Sequence, residues 1–312
     1  MKGKILTSTA DLSHDEWLRY RKNGIGGSDA GAICGLDLYR SAIDVWHDKT
    51  HPDDINHVDS EAMRVGRDLE EYVAKRFTEL TGKKVQRKNA IIQSEEYPFM
   101  LANVDRVVVG ENALLECKTT SAYGASNWAD GKCPKSYEIQ CNHYMAVTGA
   151  DKVYLACLIM GVDFVVRIIN RDEETIKLLQ EIESDFWEHN VKENVMPAPQ
   201  GSESDKNAIE ALYPESNSKL AITLNGKEKD LIRYDELKGL IAELQKEQDE
   251  IKQNIQLEMQ DAETAYIGER KITWKCYKGK SSIDKKRLMS EMPDVYEKYE
   301  KIGKPYRTFL IK

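Results

Sequence analysis

Asp105, Glu116 and Lys118 have the residue types and spacing of a hydrolytic metal site. The apolar run 99–105 reads as a strand entering a sheet; residues 106–109 continue it, Gly110-Glu111-Asn112 turn it, and residues 113–118 return. Glu116 and Lys118 are two apart, so a strand points both side chains to one face. Two carboxylates and an ammonium then converge at one end of a hairpin. Hard oxygen ligands with room for water suit Mg²⁺ or Mn²⁺. Such a site cuts phosphodiester bonds: the metal stabilises the charged transition state while the lysine orients or helps deprotonate the attacking water. A charged strand end is also a common solvated edge. Here Leu114-Leu115 and Val107-Val108-Val109 imply a buried sheet, where unpaired carboxylates are costly.

Other elements must bring further groups to this hairpin. A long amphipathic helix over about 59–81 carries Ala62, Val65, Leu69, Val73, Phe77 and Leu80 at three- and four-residue intervals, and Gly82 stops it. Glu70 lies close to that apolar face, with Gly66 allowing close approach, and reads as a third ligand; Glu71 is one step round and reads as solvated. Gln140 and Tyr144 are one turn apart on a helix over 134–148, placed to hold the water or a phosphate oxygen, though such residues are often core-edge polar groups. Ser13 with Glu16 forms a capping box for a helix ending near Lys22, Gly24-Ile25-Gly26-Gly27 breaks the chain before a helix start at Ser28, and Ser41 caps a further segment. Residues 153–159 and 163–169 read as two strands, and 172–191 as a closing helix. The order gives an α/β (α+β) unit: a central mixed sheet flanked by helices.

The polar stretch 197–202 marks a boundary, with one domain over 1–200 and an extension over 205–312. The extension holds a helix of about 227–261 with a coiled-coil-like seam, Leu237, Ile241, Leu244, Gln248, Ile251 and Ile255. A small basic α+β appendix follows: a hairpin at 265–277, a short helix near 284–291 and a final strand, 306–311.

Composition narrows the class. The 312-residue chain is 41% hydrophobic and 31% charged, as a globular domain is, and no apolar run reaches the roughly 20 residues of a membrane span. Its first eight residues lack the apolar core of a secretory signal. Six cysteines stand singly without CxxC spacing, which points to a reducing cytoplasm and away from structural zinc. Net charge is −8, but residues 270–312 hold thirteen Lys/Arg against five Asp/Glu, leaving about −16 on the rest. An acidic body can still bind DNA where basic groups line a groove.

Four blocks carry a family resemblance: Arg21-Lys22-Asn23-Gly24-Ile25-Gly26-Gly27-Ser28-Asp29-Ala30; Gly66-Arg67-Asp68-Leu69-Glu70; Asp105 with Glu116-Cys117-Lys118; and residues 137–145. In this order they resemble the YqaJ-type, lambda-exonuclease-like viral recombinases of the PD-(D/E)XK nuclease superfamily, over roughly residues 15–195. Val104 stands where the superfamily's signature proline would be. The resemblance implies a restriction-endonuclease-like core. It implies Glu70, Asp105, Glu116 and the Cys117 carbonyl as ligands of Mg²⁺ (or Mn²⁺), two ions per site, with Lys118 catalytic and Gln140 its helper. It also implies a pocket for the 5′-phosphate formed by Arg21 and Ser28 with Tyr144 nearby; by themselves Arg21 and Ser28 read as a surface arginine and a helix cap. The cysteine spacing does not match the iron–sulfur cluster of some RecB-like relatives.

The implied activity is a phage or prophage 5′→3′ exonuclease on double-stranded DNA ends, in a bacterial host's cytoplasm. It would leave 3′ overhangs for a single-strand-annealing partner of the RecT or Bet type and assemble as a homo-oligomeric ring. The alternatives are a RecB-like or restriction-type endonuclease with the same metal site, and a non-catalytic DNA-end-binding or recombinase-recruitment module.

Overall fold

The computed structural model describes residues 2–51, 60–303 and 306–311. The chain divides into two compact units, Met1–Pro214 and Glu215–Lys312. In the first, β1 (Lys4–Ser8), α1 (His14–Lys22), β2 (Ile25–Gly26), α2 (Gly27–Ile33) and α3 (Ala42–Thr50) precede the long α4 (Glu61–Thr81). Then come β3 (Val85–Arg87), β4 (Ala90–Gln93), β5 (Met100–Ala102), β6 (Arg106–Val108), β7 (Ala113–Thr120), α5 (Lys135–Thr148), β8 (Lys152–Ile159), β9 (Asp163–Asn170), α6 (Glu173–Asp185) and α7 (Glu203–Leu212).

The main sheet runs β3-β6-β7-β8-β9; β7 and β8 are parallel and the other pairs antiparallel. A parallel neighbour requires a crossover, and α5 supplies it. Both faces of this sheet are covered. Leu114 packs with Val153, Leu155, Tyr144 and Met145 on the α5 side, whereas Ala113 and Leu115 pack with Val73, Ala74 and Phe77 of α4. That is why Ala113-Leu114-Leu115 is apolar without alternation. A second, four-stranded sheet has the order β1-β4-β5-β2.

Local chemistry sets the helix ends. Ser13 and Ser41 form capping boxes with Glu16 and Asp44. Gly82 (φ 70°) and Gly149 (φ 68°) close α4 and α5 in the left-handed region, where only glycine is unstrained. Helix α4 begins at Glu61 with Ser60 as its cap, while Asp59 lies outside the described residues. Past α6 the helix opens into a π-helical stretch, Phe186–Lys192, which stacks Trp187 on Phe99.

Three expectations change. The run 99–109 is not one strand: β5 and β6 belong to different sheets, and the chain breaks at Asn103-Val104-Asp105. The first unit extends past the 197–202 segment, because α7 buries Ser204, Asp205 and Ala208. Residues 306–311 form no strand, since nothing pairs with them among the described residues.

In the second unit the 32-residue α8 (Glu228–Met259) precedes a hairpin of β10 (Thr264–Ile267) and β11 (Arg270–Thr273), then α9 (Lys285–Glu291) and α10 (Pro293–Tyr299). The α8 seam residues Leu237, Ile241, Leu244 and Ile251 are exposed. No helix among the described residues is long and apolar enough to cross a membrane.

Candidate active site

Strand period two places Glu116 and Lys118 on the Leu114 face, toward α5. Lys118 Nζ lies 2.8 Å from Glu116 Oε1 and donates to Gln140 Oε1 at 3.0 Å. Gln140 Nε2 donates to the same Glu116 oxygen at 2.7 Å and to the Tyr144 hydroxyl at 2.9 Å. The Lys118 ammonium also faces the Tyr137 ring, 4.6 Å from its centroid. Burial works against that charge, but the facing Glu116 outweighs it and raises the lysine above its ordinary pKa. One oxygen of Glu116 is therefore saturated, while the other, Oε2, is buried and has no hydrogen-bond partner among the described residues.

Asp105 sits in the break between β5 and β6. Its Oδ2 accepts the Cys117 N–H at 2.8 Å, which ties the break to the middle of β7. Burial, with the charges of Glu116 and Glu70, pushes the Asp105 carboxyl well above its usual range, against the pull of that N–H and of Lys118. Glu70 reaches in from α4 and is held by the buried Arg106 guanidinium, whose other nitrogen donates to Glu71 at 3.0 Å.

As these carboxylates stand, no three His, Cys, Asp or Glu side chains among the described residues form a finished metal shell. Glu70 is drawn to Arg106, Asp105 to the Cys117 amide, and Glu116 to Lys118 and Gln140. The donor set fits a hard dication all the same. A buried carboxylate oxygen without a partner needs a cation, and negative charge gathered around Asp105 is what a dication relieves. All donors are oxygens, as Mg²⁺ and Mn²⁺ require.

The second cluster is at the α1–α2 turn. Arg21 donates to Ser28 Oγ at 2.8 Å, its guanidinium lies over the Trp17 ring at 4.6 Å, and it passes 3.6 Å from where a β-carbon on Gly26 would stand. Gly27 has no such room: a β-carbon there would lie 2.6 Å from Tyr144 Cε1. This contact brings the turn against α5. One cavity of about 310 Å³ results, lined by Arg21, Ser28, Glu70, Asp105, Gln140 and Tyr144 among others.

The candidate site residues thus line this cavity or stand directly behind it: Arg21, Ser28, Glu70, Asp105, Gln140 and Tyr144 line it, Glu116 and Lys118 bond to Gln140, and Cys117 bonds to Asp105. Sequence reasoning missed Arg106, which restrains Glu70, and Asn103, which lines the cavity with its Oδ1 buried and without a partner among the described residues. Asn103 carried a faint signal, two residues before Asp105 in the same polar break. Arg106 carried none, because its partner is 36 residues away.

The family model of the YqaJ-like viral recombinase domain matches residues 16–151. Along its whole length the chain is 41% identical to the uncharacterized protein YqaJ of Bacillus subtilis strain 168, of which it covers 98%. The chain belongs to the YqaJ family. Among solved structures, an alkaline exonuclease (LHK-Exo) from Laribacter hongkongensis, alone and in complex with dAMP, superposes with a TM-score of 0.51 at 19% identity. The match covers 58% of this chain and 94% of that one, and shows a shared fold.

Proposed function

We propose that this YqaJ-family protein is a divalent-metal-dependent 5′→3′ exonuclease that degrades one strand from double-stranded DNA ends and leaves 3′ overhangs. The observation that carries the reading is that one cavity brings two corners of the site together. An arginine–serine corner suited to a terminal phosphate faces a carboxylate corner suited to hydrolysis, with Lys118 behind it on Gln140. At about 310 Å³ the cavity is at the small end of ligand pockets, which suits the terminus of one strand rather than an uninterrupted duplex.

Glu70, Asp105, Glu116 and the Cys117 carbonyl would hold the metal, as two Mg²⁺ or Mn²⁺ ions. When bound, such ions lower the pKa of water and offset charge on the scissile phosphate. The chain's own groups do the rest. Gln140 orients Glu116 and Lys118 together, since its amide bonds both. Lys118 supplies an N–H⁺ donor for the attacking water and for the charge that builds on phosphorus-bound oxygen. Arg21 grips the terminal phosphate with a planar fork of donors, assisted by the Ser28 hydroxyl. Tyr144, whose hydroxyl accepts from Gln140, keeps its own O–H for a phosphate oxygen. Release of 3′ single strands makes a single-strand-annealing protein of the RecT or Bet type the natural partner, in a bacterial host cytoplasm. A homo-oligomeric ring would keep the enzyme on the duplex. The first unit, Met1–Pro214, forms the nuclease domain in this reading, with Glu215–Lys312 as an appended extension.

The test is digestion in Mg²⁺ of a linear 5′-phosphorylated duplex, the same duplex with 5′-hydroxyl ends, and a covalently closed circle. Fast loss of the phosphorylated duplex with the circle intact is expected. Cutting of the circle would establish an endonuclease instead, and no digestion in any divalent metal would leave an end-binding module.

A further inference from the structure

Beneath the α1–α2 turn lies a buried ion cluster that the hydrolytic reading does not use. The side chains of Asp29 and Lys49 are each 1% exposed, with Nζ 2.8 Å from Oδ2. Asp29 Oδ2 also accepts the Gly26 N–H at 2.9 Å, and its Oδ1 takes the Arg40 guanidinium, which reaches on to Asp48 at 3.1 Å. Lys49 makes a further bond, donating to the Arg21 carbonyl oxygen at 2.9 Å. The pair therefore grips the backbone at both ends of residues 21–26, the segment that sets where Arg21 meets Ser28.

A buried ion pair is a weak source of stability, because desolvation offsets most of the attraction, and apolar residues of similar volume would serve as well. What apolar packing cannot supply is direction. Here the two charges fix one backbone N–H and one backbone C=O. A guanidinium that must meet a phosphate with two parallel hydrogen bonds needs its backbone held to a fraction of an ångström.

We propose that Asp29 and Lys49 are positioning residues that hold Arg21 and Ser28 in register for a terminal phosphate, and so set the preference for 5′-phosphorylated over 5′-hydroxyl ends. The proposal rests on the reading of Arg21 and Ser28 as the end-phosphate site. Lys49 and Asp29 touch neither substrate nor metal in it; they act through the turn.

The experiment compares kcat/KM on linear duplexes with 5′-phosphate and 5′-hydroxyl ends for the wild type, Lys49→Met, Lys49→Arg and the double variant Asp29→Asn/Lys49→Met. Each variant is also melted to follow stability. Lys49→Met should lower the phosphate-to-hydroxyl ratio by about tenfold, the worth of one well-placed charged hydrogen bond, through KM rather than kcat. Lys49→Arg keeps charge and donors and should restore most of the ratio. The double variant leaves no charge buried alone, so it folds even where Lys49→Met does not, and its ratio should also fall. A folded double variant with lowered Tm but the wild-type ratio would show that the pair is structural only and overturn the proposal. A wild type that digests both ends equally would overturn the end-phosphate reading itself, and the proposal with it.

Discussion

Gly27→Ala tests how tightly the two halves of the site are joined. The added β-carbon would stand 2.6 Å from Tyr144 Cε1, 3.0 Å from Tyr144 Cζ and 3.0 Å from Gln140 Cγ. Carbon atoms rest at about 3.5–4.0 Å, so α2 and the Tyr144 ring must separate by about 1 Å. The ring is not free to retreat without cost: Tyr144 is buried in the core with Met145 and Val147, and its hydroxyl is tied to Gln140. Overpacking of this kind costs about 1–3 kcal/mol of stability. Displacement of Gln140 loosens its bonds to Glu116 and Lys118, and a misplacement of about 1 Å at a reacting centre costs on the order of 10²-fold in rate. Gly66→Ala is the control, because a β-carbon there meets only Thr119 Oγ1 at 3.7 Å within α4. It should raise stability by about 0.5–1 kcal/mol, so close approach is not what Gly66 provides. The assay is the initial rate on a 5′-phosphorylated linear duplex beside a thermal melt. A Gly27→Ala protein that digests at the wild-type rate would refute the argument that α2 and α5 share one rigid contact at the site.

Lys118→Ala should lower the digestion rate by at least about 10² while leaving affinity for a DNA end, read by fluorescence anisotropy, within a few-fold of wild type. Asp105→Asn should abolish digestion yet raise the Tm of metal-free protein near pH 8. The Asp105 pKa is raised by burial and by neighbouring carboxylates, so its ionised form opposes folding above that pKa and the penalty disappears as pH falls through it; an unchanged or lower Tm would contradict this. His143 is fully buried between Glu183 (2.8 Å) and the Leu101 carbonyl (2.9 Å), and despite burial, which favours the neutral ring, Glu183 raises its pKa above 6.5. Its stabilising contribution is complete below about pH 6.5 and is lost as pH rises through the folded value, so urea unfolding should show stability declining on the alkaline side. His143→Ala, which strands Glu183, should cost about 3–5 kcal/mol at neutral pH.

Local signals in the sequence reached far because the functional groups sit on regular elements. The spacing of Glu116 and Lys118 put them on one strand face, and their face-mate Leu114 points into the α5 side of the core. The closing glycines Gly82 and Gly149 ended the helices that carry Glu70 and Gln140, and the serine caps Ser13 and Ser41 opened α1 and α3. What stayed hidden depends on pairing distant in the chain. The run 99–109 is apolar almost throughout, so nothing local shows that it changes sheets at Asn103, yet that change is what frees Asp105 to meet the Cys117 amide. The short strand β1 exists only because it pairs with β4, which in turn pairs with β5. The ion cluster of Asp29 and Lys49 joins residues twenty apart on two helices, and neither residue looks unusual in its own neighbourhood. The last segment, 306–311, shows the reverse: strand-like residues with no partner strand do not make a strand.

The most direct test of the account follows a linear duplex labelled on one strand, either at its 5′-phosphate or at its 3′ end, in Mg²⁺ and in EDTA. The account predicts that the 5′ label is released at once as mononucleotide, that the 3′ label stays in long single strands, and that EDTA stops both. Release of the 3′ label first, or digestion that continues in EDTA, would contradict it.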